Sequence, residues 1–409
     1  MLMNKSSRRL SLTAALATAL LYGCTEQTDN NTDDNSGPVQ SKSPTVSSPS
    51  NLPTASPAGA EEESSTEKTF PYQITTLAEG LSLPWEIAFA PAPDSRIFFT
   101  ERPGNLRVIV GGKLQPQPLL EVPAPSYGEG GLLGLTLDPD FANNGYAYVY
   151  HSYPDGEEIS NRILRLKIGE QSAEIDMVLL DDIPGSVNHN GGRIKFGPDG
   201  MLYVTTGDRS ETKLPQDITS LAGKILRLAP DGSVPKNNPF EGSLVYSYGH
   251  RNPQGLAWQP ETSLLYSSEH GSSAHDEINL IEASGNYGWP LIQGDESGSG
   301  QQGESLQTPL VHSGSNETWA PSGMTFITQG PWSGELLVAA LAGQRLLHIT
   351  LDKEGQAASL ETLFEQDWGR LRNVAEGPDG TLYVLTSNLD RGTPSEGDDR
   401  ILALTPTWK

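Results

Sequence analysis

One unit recurs six times in this chain: a short apolar strand, a turn, and a second apolar strand. The first three copies run from Glu86-Ile87-Ala88-Phe89 to Ile97-Phe98-Phe99-Thr100, from Leu135-Thr136-Leu137 to Tyr146-Ala147-Tyr148-Val149, and from Ile194-Lys195-Phe196 to Leu202-Tyr203-Val204-Thr205. The others run from Leu256-Ala257-Trp258 to Leu264-Leu265-Tyr266-Ser267, from Met324-Thr325-Phe326 to Leu336-Leu337-Val338-Ala339, and from Val374-Ala375-Glu376 to Leu382-Tyr383-Val384-Leu385. Two turns are the same string, Gly197-Pro198-Asp199-Gly200 and Gly377-Pro378-Asp379-Gly380, as suits β-hairpins. With Asp94, Asp140, Asp199, Glu261, Ser333 and Asp379 as turn markers, the steps are 46, 59, 62, 72 and 46 residues. That is the period of a four-stranded propeller blade carrying variable insertions. Helical periodicity is absent. The expected fold is all-β, a six-bladed β-propeller with four-stranded antiparallel blades over residues 69–409. A β-sandwich is the alternative, but it has no need of six copies of one hairpin.

The N-terminal residues read as targeting sequence. Lys5, Arg8 and Arg9 precede a short apolar run, Leu10 to Tyr22, which closes on Leu21-Tyr22-Gly23-Cys24. The tetrapeptide resembles the bacterial lipobox, so residues 1–24 are expected to be a lipoprotein-type signal peptide ending at Cys24. An ordinary secretory signal with an incidental cysteine is the alternative, and Ser7-Arg8-Arg9 has some twin-arginine character. Residues 25–68 are Ser, Thr, Pro, Asn, Asp and Glu with almost no large apolar side chains, which implies a disordered tether. The expected location is exported, at the periplasmic face or cell surface. Contact with membrane would come only through the lipid anchor, in the outer membrane if the host is Gram-negative.

Cys24 is the only cysteine, so disulfides and thiolate metal sites play no part in the domain. Without Lys5, Arg8 and Arg9 the formal charge moves from −24 to −27, which argues against a nucleic-acid partner.

The repeat also locates a site. In an antiparallel hairpin the residue leading into the first strand and the residue leaving the second lie at one end. Glu129, His189, Arg251-Asn252, Trp319 and Arg370-Arg372 lead in; Asp208-Arg209, Glu269-His270-Gly271, Ala342-Gly343 and Asp390-Arg391 lead out. A propeller gathers these ends around one mouth of its channel. His189 and Asp208 fall on one blade, where a carboxylate beside an imidazole prepares a general base. A structural His–Asp bond is the plainer alternative. Arg251, Arg370 and Arg372 converge as a polyanion would require. His250, His270 and His275 lack metal-ligand spacing, and no nucleophile elbow, phosphate loop or dinucleotide fingerprint occurs.

These residues carry a resemblance. Leu83-Pro84-Trp85, Gly130-Gly131-Leu132-Leu133-Gly134 and Tyr248-Gly249-His250-Arg251-Asn252-Pro253-Gln254-Gly255 are similar to the soluble quinoprotein glucose and aldose sugar dehydrogenases. So are Asp276-Glu277-Ile278-Asn279, Gly285-Asn286-Tyr287-Gly288-Trp289-Pro290 and Arg370-Leu371-Arg372-Asn373-Val374. The resemblance implies PQQ-dependent oxidation of an aldose at C1 to its lactone, with calcium and an external electron acceptor, a quinone or cytochrome. It implies that His189 is the general base, that Asp208 orients it, and that Arg251 stabilises charge on the quinone oxygen. Glu129, Asn252, His270, Arg370 and Arg372 fall at ligand-contacting positions. Backbone carbonyls of Gly271 and Ser272 match the cofactor calcium site, and Glu277 with the Tyr287 carbonyl a second, structural one.

Three departures stand out. Ala342 replaces a lysine that contacts the cofactor, so a cation is lost unless Arg345 reaches in. Ser272 stands where glucose dehydrogenase has proline, and Glu129 where some relatives have glutamine. Two other functions stay open: a calcium-dependent propeller lactonase using metal-bound water, and a non-catalytic extracellular binding propeller.

Overall fold

The two identical turns fold identically. In each, the final glycine takes a positive φ (74° at Gly200, 77° at Gly380) and its N–H donates to the first glycine's carbonyl at 2.9 Å. Asp199 and Asp379 each accept the N–H two residues on, at 3.1 Å. These and four other turns close six antiparallel hairpins, in a computed structural model that describes residues 70–125, 128–301 and 303–409. The signal segment ending at Cys24 and the 25–68 tether lie outside the described residues.

Each hairpin supplies the first two strands of a blade. Blade one contains Pro84–Phe89, Ile97–Glu101, Asn105–Val110 and Lys113–Leu114, with a short extra strand, Leu120–Glu121, beside the third. Blade two is Leu132–Leu137, Tyr146–Asp155, Glu158–Ile168 and Ala173–Pro184; blade three is Ile194–Phe196, Leu202–Thr206, Lys224–Leu228 and Val245–Tyr248. Blade four has Pro253–Trp258, Leu265–Glu269, Glu277–Ile281 and Val311–His312, and blade five Pro321–Phe326, Leu336–Ala340, Arg345–Leu351 and Ala357–Leu363. Blade six takes Leu371–Glu376, Leu382–Thr386 and Ile401–Pro406 from the C-terminal end and its fourth strand, Tyr72–Ala78, from the N-terminal end. The chain is a six-bladed β-propeller. Among the described residues the only helices are Phe141–Asn144 and the 3₁₀ turn Gly330–Trp332.

The core is divided into six clusters, one per blade interface. Alternate residues of one strand serve opposite neighbours: Phe98 packs towards blade two and Phe99 towards blade six. Tyr203 and Val204 divide between blades four and two in the same way. Strands buried on both faces read as continuous apolar runs, which is why the hairpins were visible as such.

The first strands line the channel. They pack closely: a Cβ on Gly255 would lie 2.3 Å from the Ser322 carbonyl oxygen of the next blade. Below the mouth the channel is filled by a buried pair, Arg193 Nη1 with Glu86 Oε2. Asn373 Nδ2 donates to Glu86 Oε1 at 2.5 Å, Arg193 Nε donates to the Gln254 carbonyl at 2.8 Å, and the guanidinium lies 4.0 Å from the Trp85 ring centroid.

Candidate active site

Blade three presents the histidine. The chain approaching its first strand turns sharply, with His189 at φ 58°, a conformation that costs energy in a residue with a Cβ. Its carbonyl presses on the second strand's exit, where a Cβ on Gly207 would lie 1.9 Å away, so only glycine fits. That approach sets Asp208, the next residue, against the imidazole, with Nδ1 to Oδ1 at 2.7 Å. Asp208 is 1% exposed and accepts only. Nδ1 therefore carries the proton, and Nε2, without a hydrogen bond among the described residues, is left with a lone pair. The second Asp208 oxygen accepts from Trp289 Nε1 at 2.9 Å.

The neighbouring blade ends close in around this pair. The Asp208 N–H donates to the Arg251 carbonyl at 2.8 Å, and the Gly191 N–H to Asn252 Oδ1 at 3.0 Å. Arg251 Nη1 donates to the His270 carbonyl at 3.2 Å, and its backbone N–H to Glu269 Oε1. Glu269 also bonds buried His250 (2.8 Å to Nδ1), so this histidine supports the fold. Glu129 holds the His189 N–H at 3.1 Å and Arg391 Nη1 at 3.0 Å, which links blades two, three and six across the mouth. Both Glu129 oxygens are thus engaged by the protein. Burial opposes the Glu129 charge, yet His270, the His189 N–H and Arg391 hold its carboxyl below the usual range. Burial takes His270 itself down to about 4, leaving it neutral near pH 7, so the His189 N–H and Arg391 are the partners that act there.

The arginines are crowded. Burial, then Arg102, lowers Arg372 to about 9; burial lowers Arg251 and Arg370. Arg372 stays cationic at neutral pH, bonded to Gln254 Oε1 at 2.7 Å, and nearby carboxylates such as Asp390 offset only part of the repulsion. Around this mouth, Arg251 Nε, Asn252 Nδ2, His270 Nε2 and Arg370 Nε are buried and lack hydrogen-bond partners among the described residues. Such atoms cost stability unless a ligand or water meets them. They belong to blades four and six and face one mouth, which fits a rigid ligand carrying carboxylates and carbonyls. A cavity of about 390 Å³ opens beside Arg370, lined by Trp368, Asn388 and Arg400.

For a cation the donors are oxygens. No hydrogen bond among the described residues ends on the carbonyls of Gly271 or Ser272, so both remain available to a hard ion. Glu277 accepts from Gly294 N–H at 2.9 Å and Asn279 Nδ2 at 3.1 Å; burial, then Glu269, raises its carboxyl to about 8. The Tyr287 hydroxyl is used elsewhere, donating to the Leu280 carbonyl at 2.6 Å, but its carbonyl accepts nothing among the described residues. No cluster of three His, Cys, Asp or Glu side chains suited to a metal occurs among the described residues. Ala342 is exposed, and Arg345 does not reach in for the missing lysine: it is tied to Glu317 at 3.0 Å, Glu365 at 3.2 Å and the Gly343 carbonyl.

The profile of the glucose/sorbosone dehydrogenase family matches residues 81–393. The chain belongs to that family. It is 32% identical over 337 residues to aldose sugar dehydrogenase YliI of Escherichia coli, covering 76% of this chain and 89% of the relative. It is 33% identical to quinoprotein glucose dehydrogenase B of Acinetobacter calcoaceticus, over 61% of this chain and 60% of the relative. Among solved structures, the PQQ-bound aldose sugar dehydrogenase of Streptomyces coelicolor superimposes with a TM-score of 0.73 at 39% identity, covering 82% of this chain and 99% of the other. This family member is accordingly an oxidoreductase of the quinoprotein sugar dehydrogenase class.

Other partners of this family member had no local signal in the sequence. Glu86 and Arg193 are 107 residues apart, and Trp289 is 81 from Asp208. Only the repeat register helps with the first: Glu86 directly precedes the Ile87-Ala88-Phe89 run and Arg193 the Ile194-Lys195-Phe196 run.

Proposed function

We propose that this chain oxidises an aldose at C1 to the lactone, using pyrroloquinoline quinone and calcium, with His189 as general base. The observation that carries the reading is the set of partnerless buried nitrogens on Arg251, Asn252, His270 and Arg370 beside the His189–Asp208 pair. When bound, the quinone supplies the hydride acceptor. Arg370, Arg372 and Asn252 would hold its polar rim, and His270 Nε2 would gain a partner there. Arg251 supplies positive charge where negative charge develops, which is most effective in a site shielded from water. His189 Nε2 takes the hydroxyl proton; Asp208 then stabilises the imidazolium through Nδ1. Gly271 and Ser272 offer carbonyls for calcium, with Glu277 and the Tyr287 carbonyl as a second set. Glu129 acts chiefly by fixing the His189 backbone and meeting Arg391.

A lactonase would leave the paired Arg370 and Arg372 without a task, and a binding module would not need the oriented imidazole. Purified protein, stripped with a chelator, should reduce an artificial electron acceptor with aldoses only when quinone and calcium are both restored. Lactone hydrolysis without quinone would overturn the reading.

Ala342 offers no ammonium at the mouth, and Arg345 is held by acids. A charge-assisted bond in a partly dry cleft contributes about 1.5–3 kcal/mol. Ala342→Lys should therefore tighten quinone binding roughly tenfold, equivalent to about 1.4 kcal/mol. Titration of both proteins at fixed calcium reads this directly, and equal affinities would count against it.

The protein is further proposed to be exported and lipid-anchored at Cys24. Cys24→Ser should move it from the membrane to the soluble fraction; full retention in the membrane would exclude lipidation as the anchor.

A further inference from the structure

The Gly285–Pro290 segment runs beside the last strand of blade three. Tyr248 N–H donates to the Gly285 carbonyl at 3.0 Å, Tyr287 N–H to Tyr248 at 2.8 Å, and Trp289 N–H to Gly249 at 2.9 Å. Gln216 Nε2 holds the Trp289 carbonyl at 2.8 Å and the Asn286 side chain at 3.0 Å. Gln216 itself sits in a loop fastened by buried Lys224, whose ammonium donates to the carbonyls of Leu214, Pro215 and Ala222 at 2.6–3.0 Å.

From this fixed backbone the half-buried indole reaches two groups of the mouth. Its Nε1 donates to Asp208 Oδ2 at 2.9 Å, and its ring centroid lies 5.4 Å from the Arg251 guanidinium carbon. Asp208 Oδ1 is already shared by His189 Nδ1 and the Ser210 N–H, each at 2.7 Å. Without the indole, Oδ2 would have no donor among the described residues. A buried carboxylate in that state turns towards whatever donor it can find, and its grip on the imidazole loosens.

We propose that Trp289 is a positioning residue: through Asp208 it keeps His189 in the Nδ1–H tautomer, with Nε2 free to accept a proton. The kinetic part rests on the function proposed above; the tautomer itself does not. Trp289→Phe keeps an aromatic ring against Arg251 and removes the N–H. A benzothienylalanine at the same position keeps the indole shape and also lacks the donor.

The test is ¹⁵N NMR of the whole chain labelled at histidine, without cofactor, with His189→Gln identifying the resonances. The parent protein should show His189 as the Nδ1–H form, and both replacements a mixture of tautomers. In the loaded enzyme, kcat should fall about tenfold while KM and quinone affinity stay within about twofold, as expected when one charge-assisted bond in the catalytic arrangement is lost. An unchanged tautomer in the folded benzothienyl protein would overturn the proposal, as would equal losses in kcat and quinone affinity. A parent protein inactive on every aldose would remove the proposed reaction, leaving the NMR comparison to judge Trp289 alone.

Discussion

His189→Ala should lower kcat by about 10²–10⁴-fold, the usual cost of losing a general base, with quinone binding nearly unchanged. The two effects separate because the imidazole is held from behind. Asp208 takes Nδ1 at 2.7 Å and Glu129 takes the backbone N–H, so the side chain offers the mouth one basic atom. The partnerless nitrogens assigned to the cofactor belong to other residues. Alanine at 189 also leaves the Glu129 contact in place, since that contact is made by the main chain. Single-turnover reduction of the bound quinone by sugar, followed by its absorbance, measures the step directly. A folded variant that reduces the quinone at the parent rate would remove His189 from the reaction.

Arg193→Met should destabilise the propeller by about 3–5 kcal/mol, because it leaves the Glu86 carboxylate buried with its counter-charge gone. Arg193 is 0% exposed; Asn373 and the Ile87 N–H supply Glu86 with neutral donors, and Lys195, the other cation that feels Glu86, gives its hydrogen bond to the Met324 carbonyl instead. Burial already lowers Arg193, with Glu86 opposing that trend, so the pair is mutually dependent. The double change Arg193→Met with Glu86→Leu should recover most of the loss, since no unpaired charge then remains. Denaturant unfolding of the three proteins decides the matter. A single variant as stable as the parent would mean that water enters the channel freely enough to solvate Glu86.

The hairpins were legible because blade strands are apolar on both faces, and Phe98 and Phe99 serve different interfaces. The mouth residues were legible because strand ends repeat in register: His189 and Asp208 are joined by one hairpin, and their bond follows from it. Tertiary partners from different blades were another matter. Nothing near Glu129 announces Arg391, 262 residues away, or that each of its oxygens meets a protein donor. The Arg345 question was likewise settled only by Glu317 and Glu365, acids on two other loops.

The sixth blade is completed by strands from opposite ends of the domain: Thr75 Oγ1 donates to the Ala403 carbonyl across 328 residues of sequence. A ribosome releases those two strands at the start and the finish of the domain's synthesis. Until the later one emerges, Tyr72–Ala78 has no partner and the ring stays open. Closure is a contact of very long sequence separation, which makes it slow to form. The completed ring has no free terminal blade to peel away, and parting this seam re-creates one. A protease that cuts only after the seam opens would therefore report on the lifetime of the whole molecule.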